Sequence, residues 1–405
     1  MHPLPTVPAE ADVAAAWRPR VAAMLDGDPT APDRVMRLTA LAERGLAAGY
    51  DAGSGSFAQT VRGVGGGGGV RLRAEGASLR YTAMAALGLG RLPVARQRAT
   101  LGGGTAEELA LRTAQQALDS DDPGAVALAL WAAAEVAGSA PRVLLERLGR
   151  LLRERTSLPT VDVAWTLTAA VAAADHAGRA DTGDLVGRAA ALLRHHHGPG
   201  GTYPHVLPPH TQSRLRAHVG SFADQVYPLQ AFARASRLTG ERWMLEHADH
   251  TAAAICAAQG PAGQWWWHYD CRDGGVVEPY PVYSVHQHAM APMVLFDLWE
   301  AGGADHRPSV RRGLEWLDTH PEVVEELVSE RFGLVWRKVG RREPRKAARA
   351  VAAAVTSVRR GATVPGIDRL LPPAAVDHEC RPYELGWLLY AWLPPLGGRS
   401  GVDDA

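Results

Sequence analysis

Six Ala-rich apolar segments recur along the chain, and each opens on polar or aromatic residues before entering a helix-forming stretch. RYTAMAALGLGRL begins at Arg80, DPGAVALALWAAAEVAG at Asp122 and TVDVAWTLTAAVAAADHAG at Thr160. FADQVYPLQAFARASRLTG begins at Phe222, SVHQHAMAPMVLFDLWEAGG at Ser284 and RPYELGWLLYAWL at Arg381. Most end in Gly or another breaker, as helices do. Between them lie more charged segments, such as RVLLERLGRLLRER (Arg142–Arg155) and RWMLEHADHTAAAICAAQ (Arg242–Gln259). A helix that is apolar all round must be buried, whereas a striped one lies at a surface. The alternation predicts helical hairpins closed in a ring, with the apolar set inside and the amphipathic set outside. An open solenoid needs similar hairpins, but only a ring gathers all the polar openings at one mouth.

Strand signals are scarce, so the chain reads as all-α, a toroid of helical hairpins in one domain over residues 1–405. Residues 1–75 hold N-terminal helices and a Gly-rich turn. VRGVGGGGGVRLR (Val61–Arg73) reads as that turn between two short strands, and no G-K-[ST] follows its glycines to make a phosphate loop. Residues 337–360 carry nine Lys or Arg and one acid. They read as a basic helical segment with a solvated outer face, and peripheral contact with a membrane or an acidic partner is the competing reading.

Forty-three basic residues balance forty-three acidic ones, so no global field recruits nucleic acid. Three cysteines, Cys256, Cys271 and Cys380, make no paired framework and no C-x-x-C unit. With no basic n-region, no apolar h-region and no long apolar span, the expected location is the cytoplasm. No cofactor is expected, because no G-x-G-x-x-G follows a strand. No metal is expected either: H-E-x-x-H is absent, and His286 and His288 lie two apart, on different helix faces.

The run QWWWHYDCRDGGVVEPYPVY (Gln264–Tyr283) holds three tryptophans, a histidine and several carboxylates among Gly and Pro. It cannot be a helix interior. It reads either as a ring-binding surface with acids beside it or as a plug over the core. Trp265, Trp266, Trp267, His268, Tyr269, Tyr280 and Tyr283 are the candidate ring binders. Inner-helix N-termini carry partial positive charge and free N–H groups. The residues expected at the shared mouth therefore include Arg80, Tyr81, Asp121, Asp122, Asp162, Trp165, Tyr227, His288 and Tyr383, with Asp122 and Asp162 also suited to capping. Asp224, Glu278 and Glu384 are the acid and base candidates, with His286 as the histidine of the set, because a carboxyl beside tryptophan loses solvation and its pKa rises.

The hairpins with Gly–aromatic connections, GGTYP (Gly200–Pro204) and GQWWW (Gly263–Trp267), resemble the (α/α)6 toroid enzymes. YPLQAFARASRLTGERWMLEHA followed by VVEPYPVYSVHQHAMAPMVLFDL is similar to the glucuronyl C5-epimerase-like and six-hairpin glycosidase branch over residues 222–300. That resemblance implies hydrolysis, elimination or epimerisation of a saccharide, with Glu278, Tyr280 and Tyr283 at the sugar site and a small-molecule or oligosaccharide substrate. A second resemblance is to terpenoid cyclases and prenyltransferases. AAAICAAQGPAGQW places Gln259, Gly263 and Trp265 as in a Gln–Trp repeat, and DSDDPGAVAL is similar to the D-x-D-D acid motif, which makes Asp121 the proton donor. The sequence departs from that motif at Pro123–Gly124. A non-catalytic binding toroid is the third reading.

Overall fold

In a computed structural model, residues 18–24, 27–65 and 70–395 are described. Six helices form an inner ring: α1 (Leu79–Leu89), α2 (Pro123–Ala137), α3 (Thr160–Ala177), α4 (Phe222–Thr239), α5 (Ala291–Glu300) and α6 (Pro382–Trp392). A single π-helical turn, His286–Met290, leads into α5. Each inner helix packs on the next in chain order, and α6 returns to pack on α1, so the ring closes. Six outer helices, Ala31–Gly49, Ala106–Ala117, Arg142–Glu154, Arg179–His195, Arg242–Ala257 and Arg307–Thr319, surround it. The expected toroid is present.

Composition decides which layer a helix joins. In α2 every residue from Pro123 to Ala134 is buried. The outer helix Arg142–Glu154 buries only Leu144, Leu145, Leu148 and Leu151, one stripe at three- and four-residue spacing. The ring joint is tighter still. A Cβ on Gly88 of α1 would stand 2.2 Å from the Gly386 carbonyl oxygen of α6, so the two backbones touch directly.

Short strands lead the chain into the inner helices. Leu158–Pro159 precedes α3, Val219–Ser221 precedes α4, Val282–Tyr283 precedes the π turn and Glu379–Cys380 precedes α6. Val219–Ser221 pairs with His268–Asp270, which pairs with Val276–Glu278, all antiparallel. The Trp-rich run is thus a hairpin wall beside the mouth rather than an irregular loop. Thr60–Val64 and Arg71–Glu75 pair across the glycine run, as expected, although Gly66–Gly69 lie outside the described residues.

The basic segment is not one helix. Lys338–Gly340 is a strand, and Ala347–Val358 is a helix whose Ala352 and Ala353 pack on Val219 and Val277 of the hairpin wall. Arg337, Lys338 and Arg341 are paired with Glu384, Asp377 and Glu278. Much of its charge is used within the fold. The three cysteines are unpaired. No helix among the described residues is long and apolar enough to cross a membrane.

The opposite end of the ring is closed by charge. Arg234 of α4 donates to Glu135 at 2.6 Å, Asp297 at 2.9 Å and the Tyr390 hydroxyl at 2.5 Å. The Arg234 guanidinium holds the Glu135 carboxyl below its ordinary range although the group is buried.

Candidate active site

The N-termini of all six inner helices face the same mouth. Asp122 caps α2, its Oδ1 accepting from the backbone N–H of Gly124 at 3.1 Å and of Ala125 at 3.4 Å. Arg80, in the first turn of α1, reaches across to it and donates Nε–H to Asp122 Oδ2 at 2.7 Å. The same guanidinium donates to Asp162 Oδ2 at 3.2 Å and lies 2.9 Å from Asp162 Oδ1. This contact requires glycine at position 124, because a Cβ there would sit 2.4 Å from Asp162 Oδ1 and 2.6 Å from Arg80 Cζ. The sequence departure at Pro123–Gly124 therefore has a local cause: it clears space for an Arg–Asp pair.

One guanidinium serves two carboxylates, and they differ. Arg80 pulls Asp122 below its ordinary pKa. Asp162 is only 2% exposed. Burial pushes it up to about 6, Arg80 opposes, and the negative charges of Asp122 and Asp224 add to the rise. Arg80 also stands over the Trp165 ring, 5.3 Å from its centroid, and Trp165 meets Tyr227 edge-on at 4.9 Å.

Asp224, in the first turn of α4, receives three donors on one oxygen. Ser221 N and Oγ donate to Oδ2 at 2.7 Å each, and His205 Nδ1 lies 2.9 Å away. The Asp224 charge raises the His205 pKa. Asp224 Oδ1 is buried without a hydrogen-bond partner, whereas the buried Asp162 Oδ1 is held in the 2.9 Å ion pair with Arg80. Buried polar atoms rarely stay unpaired, so Asp224 Oδ1 is an acceptor held ready for something that enters. Trp165 Nε1, Trp267 Nε1 and the Nδ1 atoms of His268, His286 and His288 are unpaired in the same way.

The three tryptophans separate. Trp265 is fully buried against Phe222, with ring centroids 5.7 Å apart, and belongs to the core. Trp266 turns the other way, against Gly260 and Tyr280. Only Trp267 faces a cavity. It stacks on His286 at 5.9 Å and packs on Tyr283 at 4.6 Å. It lines a space of about 210 Å³ together with His205, Arg216, Val219, Ser221, His268, Lys346 and Arg349. Tyr269 is core as well. Trp265–Trp267 precede the strand His268–Asp270 and their rings leave toward different neighbours, so three adjacent indoles make no single platform.

The other expected groups take different positions. Glu278 is engaged by Arg341 Nε at 3.2 Å and by the Tyr280 N–H at 3.2 Å, and it does not line the cavity beside Trp267. Glu384 accepts from Arg337 Nε at 3.1 Å and from the Arg381 N–H at 3.3 Å, bracing the start of α6. Burial pushes His286 and His288 down to about 3, so both are neutral imidazoles near pH 7. Tyr81 and Tyr383 pack together at 4.6 Å across the ring joint, and Arg381 donates to the Tyr81 hydroxyl at 2.6 Å. Tyr280 lies beside Arg341, 5.1 Å from ring centroid to guanidinium. Reading residues singly left Arg80, Asp122 and Asp162 as separate caps or ligands. Their coupling is visible only when adjacent N-termini come together.

The cyclase reading fails on its acid. The Asp121 side chain is 85% exposed and pairs with Arg147 at 3.0 Å. An exposed carboxyl paired with an arginine stands outside any apolar chamber of the kind that protonating an olefin requires. Gln259 likewise serves a turn, donating to the carbonyls of Gly263 and Ser309 at 2.9 Å each.

A larger cavity, about 670 Å³, opens near the opposite end, lined by groups such as Arg91, Arg234, Glu135 and Gln97. Its buried charges neutralise one another, and Glu135 there is held ionised rather than protonated. The mouth, with an unpartnered buried carboxyl oxygen on Asp224 and one raised acid, is the better chemical site.

Among solved structures, an unsaturated glucuronyl hydrolase specific for heparin matches with a TM-score of 0.59 at 16% identity, covering 89% of this chain and 96% of its own. Cellobiose 2-epimerase from Bacillus thermoamylovorans matches at 0.57 and 12% identity, covering 86% and 95%. A possible GH105 family member from Klebsiella pneumoniae matches at 0.55 and 8%, covering 89% and 92%. No protein-family model matches the chain, and no curated protein matches its sequence. Such identities speak to architecture alone, and the architecture they share with this chain is an (α/α)6 toroid of helical hairpins.

Proposed function

We propose that the mouth cleaves a glycosidic bond of an oligosaccharide, with Asp162 as the general acid and Asp224 as the carboxylate that activates water or attacks the sugar. The observation that carries this reading is the pair itself. Two buried carboxyls stand on adjacent inner helices, Asp224 keeps one oxygen without a partner, and burial together with the Asp224 charge helps raise Asp162 to about 6. Glycoside hydrolysis needs two carboxyls with such divided roles. Trp165, Tyr227 and Trp267 supply aromatic faces for the sugar rings. His286 and His288 orient hydroxyls as neutral donors or acceptors, and Arg80, Tyr81, Tyr383 and Arg381 frame the far rim. The matching structures, a glucuronyl hydrolase and a cellobiose epimerase, lend the saccharide class further support.

The test is reducing-end release from a panel of oligosaccharides by the wild type, Asp162→Asn and Asp224→Asn. Turnover by the wild type alone, with all three proteins folded, supports the reading. Equal turnover by either variant rejects its residue, and no release from any glycan by the wild type rejects hydrolysis.

Asp122 tunes the acid. Asp122→Asn keeps a capping oxygen for α2 but releases Arg80 to Asp162 and removes a neighbouring negative charge. Both changes lower the Asp162 pKa. Because the acid acts protonated, the alkaline limb of kcat/KM, near pH 6 in the wild type, should move to lower pH. A pH–rate profile reads this directly, and a limb that stays in place would separate Asp122 from the acid.

A further inference from the structure

We propose that the cavity beside Trp267 is an anion subsite that holds a carboxylate or sulfate substituent of the bound saccharide. The proposal rests on the saccharide reading above. Four basic side chains line this one space: His205, Arg216, Lys346 and Arg349. No carboxylate is part of its wall. Lys346 Nζ and the Arg216 guanidinium have no hydrogen-bond or ion-pair partner among the described residues. Arg349 Nε is buried without a hydrogen-bond partner and has only a long ion pair, 3.9 Å, to Glu343, whose other oxygen accepts from the Ala348 N–H.

These charges come from three parts of the chain and converge. Lys346 and Arg349 lie at the start of the helix Ala347–Val358, which the apolar contacts of Ala352 and Ala353 clamp onto the hairpin wall. Lys346 adopts φ +61°, a left-handed conformation that is otherwise confined to glycine among the described residues. A lysine in that conformation is strained, and such strain concentrates at binding sites. Arg216 precedes the strand Val219–Ser221, and His205 is held by Asp224. The convergence registers on His268. Burial lowers its pKa, and Arg216, Arg349, His205 and Lys346 each lower it further. Like charges around a concave surface repel one another until an anion enters. The indole of Trp267 places a sugar ring against the same space, so one ligand satisfies both: a saccharide bearing an anionic group.

The experiment uses full-length Asp162→Asn protein, so that binding is read apart from turnover. Titration calorimetry compares a neutral disaccharide, a uronic-acid disaccharide and a sulfated disaccharide. At least one charged sugar should bind about tenfold or more tighter than the neutral one, the gain of one good charge-assisted contact. The preference should shrink with added salt and disappear in a Lys346→Gly/Arg349→Gln double variant. Glycine suits the left-handed position, so Lys346→Gly alone should melt no lower than its parent. Which charged sugar wins distinguishes carboxylate from sulfate. Equal binding of all three sugars, or a preference that survives the double variant, would overturn the subsite. Selective binding of a charged sugar that the wild type does not cleave would retain the subsite and reject the hydrolytic reading, whereas cleavage without charge preference would do the reverse.

Discussion

Asp162→Asn is expected to lower turnover by about 10²–10⁴-fold, the usual contribution of a general acid, while raising thermal stability at neutral pH. The two effects have one origin. In the folded chain Asp162 titrates near 6, against an ordinary value of 3.8. A carboxyl with a raised pKa favours folding in its protonated form. That contribution is complete below pH 3.8 and is lost as pH rises to 6. Above pH 6 the buried charge therefore costs up to about 3 kcal/mol relative to a neutral group. Asn removes the charge and keeps the shape. Arg80 retains Asp122, so the substitution leaves no guanidinium alone. Melting curves of the two proteins should coincide near pH 4 and separate by pH 7.5, with the variant higher. A variant that melts lower at both values would make Asp162 a structural partner of Arg80 and nothing more.

Gly88→Val should produce the largest loss of stability. Gly88 and Gly386 form the joint where the last inner helix meets the first. A Cβ on Gly88 would lie 2.2 Å from the Gly386 carbonyl oxygen, and one on Gly386 would lie 2.7 Å from the Met84 carbonyl oxygen. These are backbone atoms, which cannot swing aside as a side-chain tip can. A mid-helix glycine costs about 1 kcal/mol against alanine, and the joint needs it nonetheless. Overpacking a tight core costs about 1–3 kcal/mol and occasionally more, and a β-branched residue against backbone belongs at the upper end. Gly187, on the outer helix Arg179–His195, is the control. Nothing lies within 4 Å of its absent Cβ, so Gly187→Ala should be neutral or gain up to about 1 kcal/mol. Denaturant midpoints measure all three proteins. If Gly88→Val unfolds with the wild type, the ring does not depend on that contact. Because Tyr81 and Tyr383 straddle the same joint, the variant should also weaken substrate binding at the rim.

The inner helices were legible because burial on every side leaves little choice of residue. ALALWAAA in α2 and AWTLTAA in α3 suit no surface, and their polar openings mark one end of the ring. Asp162, Trp165 and Asp224 were visible from the same logic, as the first-turn residues of helices that had to point one way. Glu278 lies across the strand pair from His268, but its carboxyl has a partner that no local pattern announces. Its strand carries it to Arg341. Lys346 and Arg349 showed only as part of a basic segment, and Gly124 only as a departure from a motif, since a glycine that clears space for a distant Arg–Asp contact looks like any other glycine.

Periodicity and composition, acting within single turns of chain, were enough to specify a closed ring of hairpins with its polar ends on one side. Which acid is protonated, which indole meets solvent and which cations share a space were decided by tertiary structure. Those properties depend on the field and the volume at a point, and groups far apart in the chain, Arg80 with Asp162 and Trp267 with Arg349, meet only after the ring has closed.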